Sequence, residues 1–228
     1  MTAGHRVTIV YPSTPGAPFD WAHYMARHLP LAVGTSRRHT NLIFCDVDRP
    51  LGGLDSPVTC ICVVHFDSAA SLEAFIGFFA TGHPESQEIL ADQPHYTTID
   101  ATFVASRFHS TAQAEPPTDC YRVRIALTET AAAEAVERIP DALRGAGYAL
   151  DHMEVDDCYS GVPLGEAPMW RGIVSLIFRD EETARSAFAW LHSGHAEELL
   201  DLPRGSLALT IGRVLPFDLK LSDPFRDR

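Results

Sequence analysis

The sequence predicts an α+β protein made of two ferredoxin-like β-α-β-β-α-β units in one chain. Three observations predict it. The stretch AFIGFFATGHPE at 74–85 returns as SAFAWLHSGHAE at 186–197. His83 maps to His195, Gly82 to Gly194 and Phe66 to Phe178, always 112 residues on (195 − 83 = 112). The same ungapped register pairs Phe78 with Trp190, Phe79 with Leu191 and Leu90 with Leu202, as an internal duplication does. The order of β-branched runs and amphipathic stretches also repeats, and a polar segment bearing two prolines separates the two series.

Taken in order, RVTIVYP (6–12) reads as a strand that stops at proline, and Ser13 to Pro18 as a turn. An amphipathic helix follows from Phe19 to about Val33. HTNLIFCDV (39–47) and VTCICVVHF (58–66) are strands joined through the turn-forming Arg49-Pro50-Leu51-Gly52-Gly53. Asp67 or Ser68 caps a second helix through Phe75, Phe78 and Phe79, which Gly82 ends. HYTTIDATFVASRF (95–108) is a long final strand of a first unit spanning 1–108. HSTAQAEPPTD (109–119) is the linker. The second unit, 120–217, repeats the order: strands at 121–127, 149–159, 170–178 and 205–217, with an alanine-rich helix at 130–147 interrupted by Pro140 and another at 180–192. Residues 218–228 read as a polar tail.

One such sheet has helices on one face and leaves the other bare. Two units in one chain can pack bare face to bare face, giving an intramolecular α+β barrel. Its interior is expected to form a small-molecule cavity.

Composition narrows the classes. The net charge of −12, from 18 basic and 30 acidic residues, argues against nucleic acid as a partner, because phosphate binding rests on clustered Lys and Arg. No apolar run reaches membrane-spanning length, and MTAGHRVTIVYPSTPG meets proline too early for a signal peptide, so no membrane partner and a cytoplasmic location are expected. Cys45, Cys60, Cys62, Cys120 and Cys158 include no CxxC pair and read as small buried hydrophobes. No HxxxH, HExxH, phosphate loop or G-x-S-x-G occurs, so no metal and no cofactor are expected. A homodimer of such chains is compatible with this composition.

The densest polar cluster lies in the first helix. Asp20, Tyr24 and His28 fall at i, i+4 and i+8, beside a Trp21, Met25, Leu29 stripe that reads as core. Histidine next to a phenol and a carboxylate suits acid–base work near neutral pH. In the second unit the same offset meets Ala132, Val136 and Pro140, so the site is expected in the first unit alone. His152, Glu154 and Asp156 alternate along a strand, with Asp157 beside them; their shared face can enter the cavity, but an exposed, charged sheet edge is the preferred reading.

The pattern Tyr11-Pro12, then Phe19-Asp20-(x)3-Tyr24-(x)3-His28-x-Pro30-Leu31, resembles the opening of the EthD family. Ala91-Asp92-Gln93-Pro94-His95-Tyr96-Thr97 is similar to that family's later segment, and together they cover about residues 7–108. The resemblance implies a dimeric α+β barrel and cofactor-free chemistry on aromatic, polyketide-like or ether compounds, with Asp92 and Thr97 at the substrate. His83-Pro84 is similar to the His-Pro of barrel cyclases that close polyketides by aldol chemistry, which would make His83 a base with Tyr96 or Tyr24 as hydroxyl partner.

The expected function is therefore a cofactor-independent lyase, dehydratase, cyclase or isomerase acting on a small aromatic or polyketide-like substrate. The catalytic candidates are His28, His83, Tyr24, Asp20 and Tyr96. Trp21, Phe44, Phe66, Phe103 and Trp170 are candidates for the apolar wall. A cofactor-free or haem-dependent monooxygenase and a non-catalytic binder of small hydrophobic compounds are the alternatives.

Overall fold

Eight antiparallel strands close into a barrel in the computed structural model, which describes residues 2–54, 56–110, 119–159 and 170–217. The elements run β1 (Thr2–Pro12), α1 (Trp21–His23), a π-helical stretch (Tyr24–His28), α2 (Leu29–His39), β2 (Leu42–Pro50), β3 (Val58–Phe66), α3 (Ala69–Ala80), α4 (Pro84–Asp92), a 3-10 turn (Gln93–His95) and β4 (Thr102–Ser110). The second half holds β5 (Tyr121–Leu127), α5 (Ala133–Glu137), α6 (Ile139–Gly145), β6 (His152–Cys158), β7 (Gly172–Phe178), α7 (Glu181–Trp190), a kinked turn (Leu191–His195), α8 (Ala196–Leu200) and β8 (Leu207–Phe217).

Around the barrel the order is β1-β3-β2-β8-β5-β7-β6-β4. Each half contributes four neighbouring strands, and two seams join the halves: Cys45 to Pro50 against Phe217 to Gly212, and Ser106 to Ser110 against Cys158 to Glu154. Closure leaves no free edge. Gly212 permits the first seam, since a Cβ there would stand 3.0 Å from the Arg49 carbonyl oxygen.

The helices pack on the outside of the barrel. Val7, Tyr11, Cys60, Cys62, Val64 and Phe66 point outward to a core shared with Tyr24, Leu29, Val33, Leu72 and Phe75. Val123, Ile125, Leu176 and Ile211 do the same beneath the second half's helices. The alternate residues point inward, and there the structure corrects the expected cavity. Arg6 donates to Glu154 (2.6 Å) and Asp156, Arg122 to Asp46 (2.7 Å) and Asp48 (2.8 Å), and Arg124 to Asp48 (2.6 Å). His65, Ser106 and Ser175 complete this belt. Val10, Ile61 and Val63, with Trp170, plug one end; Cys120, Ile177 and Val214 form the other apolar group.

The inward belt also corrects the expected exposed edge. β6 pairs with both β4 and β7, and Glu154 and Asp156 are buried ion-pair partners; of that run only Asp157 is exposed. His109 and Ser110 belong to β4 rather than to a linker. Positions 111–118 and 218–228 lie outside the described residues.

Local signals account for most element ends. Ser68 accepts from Ser71 N and Asp180 from Thr183 N, as N-caps do. Pro140 splits the alanine-rich stretch into α5 and α6. Helix α4 is absent from the sequence-based assignment, which let the helix end at Gly82 and resumed with a strand at 95. Its start is marked by His83 as N-cap, Pro84 in the first turn and Glu85 behind it. The structure places the next strand from Thr102, with Tyr96 and Thr97 in the connection before it.

Gly82 (φ 68°) and Gly194 (φ 107°) break the paired helices at equivalent positions with left-handed backbone. Gly82→Ala should cost about 1 kcal/mol through that backbone alone, because its Cβ would meet only Gln87 Nε2 at 3.9 Å. Gly77→Ala, inside α3 with nothing within 4 Å, should instead gain about 0.5–1 kcal/mol. Urea denaturation of the two variants should therefore move the midpoint in opposite directions.

Candidate functional site

The turn Tyr24–His28 is π-helical, with Leu29 N donating to the Tyr24 carbonyl. The sequence explains the wide turn. Pro30 has no N–H to direct to the Ala26 carbonyl, so the regular ladder cannot run through this point. The wide turn stacks the Tyr24 ring on the His28 ring, with centroids 5.4 Å apart, and turns both inward. Tyr24 and His28 are buried, at 1% and 7% exposure.

His28 sits in the middle of a hydrogen-bonded chain. Its Nδ1 lies 3.1 Å from Asp92 Oδ2 at the end of α4, and its Nε2 lies 3.2 Å from the Tyr96 hydroxyl. Tyr96 in turn bonds the Tyr11 hydroxyl at 2.8 Å. His23 Nε2 approaches the other side of Asp92 at 3.0 Å. Burial lowers the His28 pKa below its ordinary 6.5, and Asp92 only partly offsets this, so the imidazole is neutral at pH 7. Burial favours protonated Asp92, but hydrogen bonds from His23 and His28 outweigh it and hold the carboxyl below the usual range. An ionised carboxylate only accepts, so neutral His28 carries its proton on Nδ1 and presents the Nε2 lone pair to Tyr96.

The tyrosines have the complementary property. Burial raises both hydroxyl pKa values above 10, so Tyr11 and Tyr96 stay protonated and act as donors. Burial also raises the Cys60 thiol, which removes it as a nucleophile at neutral pH.

Tyr11, Tyr24, His28 and Tyr96 line a narrow apolar pocket between the outer face of the first half's sheet and helices α2, α3 and α4. Its walls include Ile9, Val64, Phe75, Phe79, Leu90 and Phe103. About 50 Å3 is open to water-sized occupants. Leu90 is 41% exposed and marks the rim.

The sequence-based candidates divide accordingly. His28, Tyr24, Tyr96 and Phe103 line the pocket. Asp92 touches it through His28 rather than through a substrate position. Asp20 is spent as the N-cap of α1, accepting from Ala22 and His23 N at 2.9 and 3.0 Å. Thr97 ties the Pro18 carbonyl to the Ile99 N–H. Trp21 packs on Phe19 under the Arg49 guanidinium. Phe66 is core against Phe75, Phe44 stacks on His65, and Trp170 packs on the Val10, Ile61 and Val63 group. His83 lies outside the pocket, its Nδ1 accepting from Glu85 N. Its counterpart His195 bonds the Trp190 carbonyl and Ser193 and stacks on Trp190. Tyr11 and His23 were not singled out by sequence reasoning. Tyr11 was legible only as a strand-ending Tyr-Pro and as part of the family pattern, with no role at the site, and nothing local links His23 to a carboxylate 69 positions away.

The pocket beside His28 is far smaller than a porphyrin, so a haem does not fit there. The second half has a larger cavity, about 680 Å3, lined among others by Leu127, Met153, Val155 and Val174, but neither His192 nor His195 borders it. His109 does, with Nε2 facing Asp157 at 3.8 Å.

The two buried histidines set a pH dependence of stability. Burial depresses both His28 and His65 below 6.5, and Asp92 and Asp46 offset this in part. The unfolded chain therefore binds more protons than the fold just below about pH 6.5, and stability should fall as pH drops through that range. A second loss is expected below about pH 4, where Asp46, Asp92 and Glu154, the last held at about 2, must be protonated. Urea midpoints at pH 8, 6, 5 and 3.5 check this; no change between pH 8 and 5 would contradict the neutral-histidine assignment.

No protein-family model and no curated protein matches the chain. Solved structures do. An EthD-like protein from Ralstonia eutropha JMP134 is 28% identical over 46% of this chain and 92% of its own, with a TM-score of 0.37. An anthrone oxidase-like protein is 11% identical over 94% of this chain and 92% of its own, with a TM-score of 0.53. A chlorite dismutase variant from Candidatus Nitrospira defluvii is 10% identical over 98% and 96%, with a TM-score of 0.51. The last two similarities identify the fold as that of the α+β barrel proteins. Among the described residues, no helix is long and apolar enough to cross a membrane.

Proposed function

We propose that this chain is an enzyme of the EthD-like barrel class that carries out cofactor-independent acid–base chemistry on a small aromatic or polyketide-like compound, with His28 as the base. The observation that carries the reading is the Asp92–His28–Tyr96–Tyr11 chain ending in an apolar pocket. Asp92 fixes the tautomer; when substrate takes the Tyr96 hydroxyl as its own donor, the His28 Nε2 lone pair is released and accepts a proton from a carbon next to the substrate carbonyl. The C–H electron pair moves into the carbonyl to give an enolate, whose oxygen accepts from the Tyr96 hydroxyl. Tyr11 supports Tyr96 from behind. Dehydration, cyclisation and isomerisation all begin with this transfer, which is why the reaction class is stated as lyase or isomerase.

The reading includes an internal duplication in which the second half is retained as scaffold. The offset that maps Gly82 to Gly194 puts Pro140 where His28 stands, and Val136 where Tyr24 stands. Closing the barrel needs both halves; the chemistry needs one.

An oxygenase variant shares the same first step, with the substrate carbanion handing electrons to O2. The anthrone oxidase-like neighbour is the reason to include it in the assay. The test is a screen of aromatic β-keto compounds and anthrones with product detection by mass spectrometry, run aerobically and anaerobically. For a converted compound, kcat/KM should rise with pH to a plateau and titrate with an apparent pKa below 6.5. A compound that binds, as seen by thermal shift, and is never converted would point to a carrier instead.

A further inference from the structure

His83, expected at the site, instead joins a second group on the surface between α2 and α4. We propose that His39, His83 and Glu85 form a binding site for a zinc-class divalent cation that clamps the end of α2 to the start of α4. One potential ligand atom from each of the three residues lies within 4.8 Å of the others. His39 Nε2 is 2.7 Å from Glu85 Oε2, and the His39 and His83 rings are 4.7 Å apart. Both rings rest on Phe78, at 4.8 and 5.1 Å, so an apolar floor limits how far the imidazoles can turn. Two imidazoles and one carboxylate form a donor set suited to Zn2+, leaving a position for water. The group is open enough to load, with His39 and Glu85 side chains 32% and 36% exposed. His39 is the last residue of α2, where the helix dipole favours a cation.

Arg38 is the competitor. Its Nη2 donates to the same Glu85 oxygen at 3.1 Å and to Thr35 at 3.3 Å. Its side chain is 42% exposed, so it can withdraw when a cation takes the carboxylate. The placement has a consequence for the pocket, because α2 contributes Leu29, Val33 and Ser36 to its wall and α4 contributes Ile89 and Leu90. A cation across the two helices would hold that wall together at the end remote from His28. Sequence spacing did not reveal the group because its ligands come from two helices separated by β2, β3 and α3.

The test uses the full chain with Zn2+ by calorimetry and Co2+ by visible absorption, and needs no substrate. Wild type should bind one equivalent and show a higher Tm with metal. His39→Ala, His83→Ala and Glu85→Gln should each weaken binding by about tenfold or more, with folding checked by circular dichroism. Arg38→Ala should tighten it, an effect that loss of structure cannot produce. His195→Ala should leave it unchanged. Absence of stoichiometric binding, or an affinity unaltered in both His39→Ala and His83→Ala, would overturn the site. Neither result bears on His28, because the readout is metal affinity rather than turnover.

Discussion

Replacing His28 with alanine should lower turnover of any converted substrate by about 10²–10⁴-fold, the usual contribution of a positioned general base. Binding should persist, because the pocket walls are Ile9, Val64, Phe75, Phe79 and Phe103 and the substitution only enlarges the space. The expected pattern is a fall in kcat with KM little changed. Asp92→Asn is the sharper test of the arrangement. An amide can donate as well as accept, so it no longer forces the proton onto Nδ1, and His28 can present N–H rather than a lone pair to Tyr96. Its loss should follow the same sign but be smaller, since the imidazole remains. Tyr96→Phe removes the donor to the enolate and should lower kcat, and because the same hydroxyl donates to neutral His28 it should also move the pH midpoint upward. Assayed without added metal, His83→Ala should leave turnover intact, because that residue lies outside the pocket. If His83→Ala abolished activity and His28→Ala did not, the assignment of the base would be wrong.

The largest effect on stability is expected inside the barrel. Arg6 is fully buried and holds Glu154 and Asp156 together, with Ser106 donating to Asp156 at 2.6 Å. Burial disfavours the Glu154 carboxylate, yet Arg6 and Arg122 hold its pKa at about 2. Arg6→Ala leaves two carboxylates buried without their cation and should cost about 3–5 kcal/mol. The intact belt need not be stabilising by that amount, because two arginines are themselves incompletely paired: Arg122 Nε and Nη2 and Arg124 Nη2 have no partner among the described residues. Replacing Arg6, Glu154 and Asp156 together by apolar residues should therefore recover most of the loss. Denaturant titration of the single and triple variants decides it. A single variant within 1 kcal/mol of wild type would mean that the carboxylates reach solvent or another cation.

Much of the site was legible in one dimension. His28 and Tyr24 were singled out because histidine and tyrosine are unusual choices for a solvated helix face, Tyr96 through the family resemblance as a partner for His83, and all three line the pocket. Asp20 was singled out by its helical spacing and His83 by the His-Pro resemblance, and both are spent on helix starts. Local sequence cannot separate these cases, since a side chain that can accept a proton from substrate can equally accept a backbone N–H. What separates them is whether a second polar group arrives from elsewhere in the chain. Asp92 reaches His28 from 64 positions away, and Tyr11 reaches Tyr96 from 85.

The sequence did determine the α+β class and most strands and helices, because period-2 and period-3.6 patterns are local properties of the chain and the glycine breaks need left-handed backbone. Which face of each strand looks inward was decided only by closure. In a single sheet with one bare face, the polar alternation of β6 would point to water. Once β4 and β6, and β2 and β8, pair across the seams, the inner face of every strand is enclosed by the barrel. Arg6 then meets Glu154 and Asp156 across the barrel, and a pattern that reads as a solvated edge becomes its interior. The apolar pocket is displaced to the outside of the sheet, under the helices that carry His28 and Asp92.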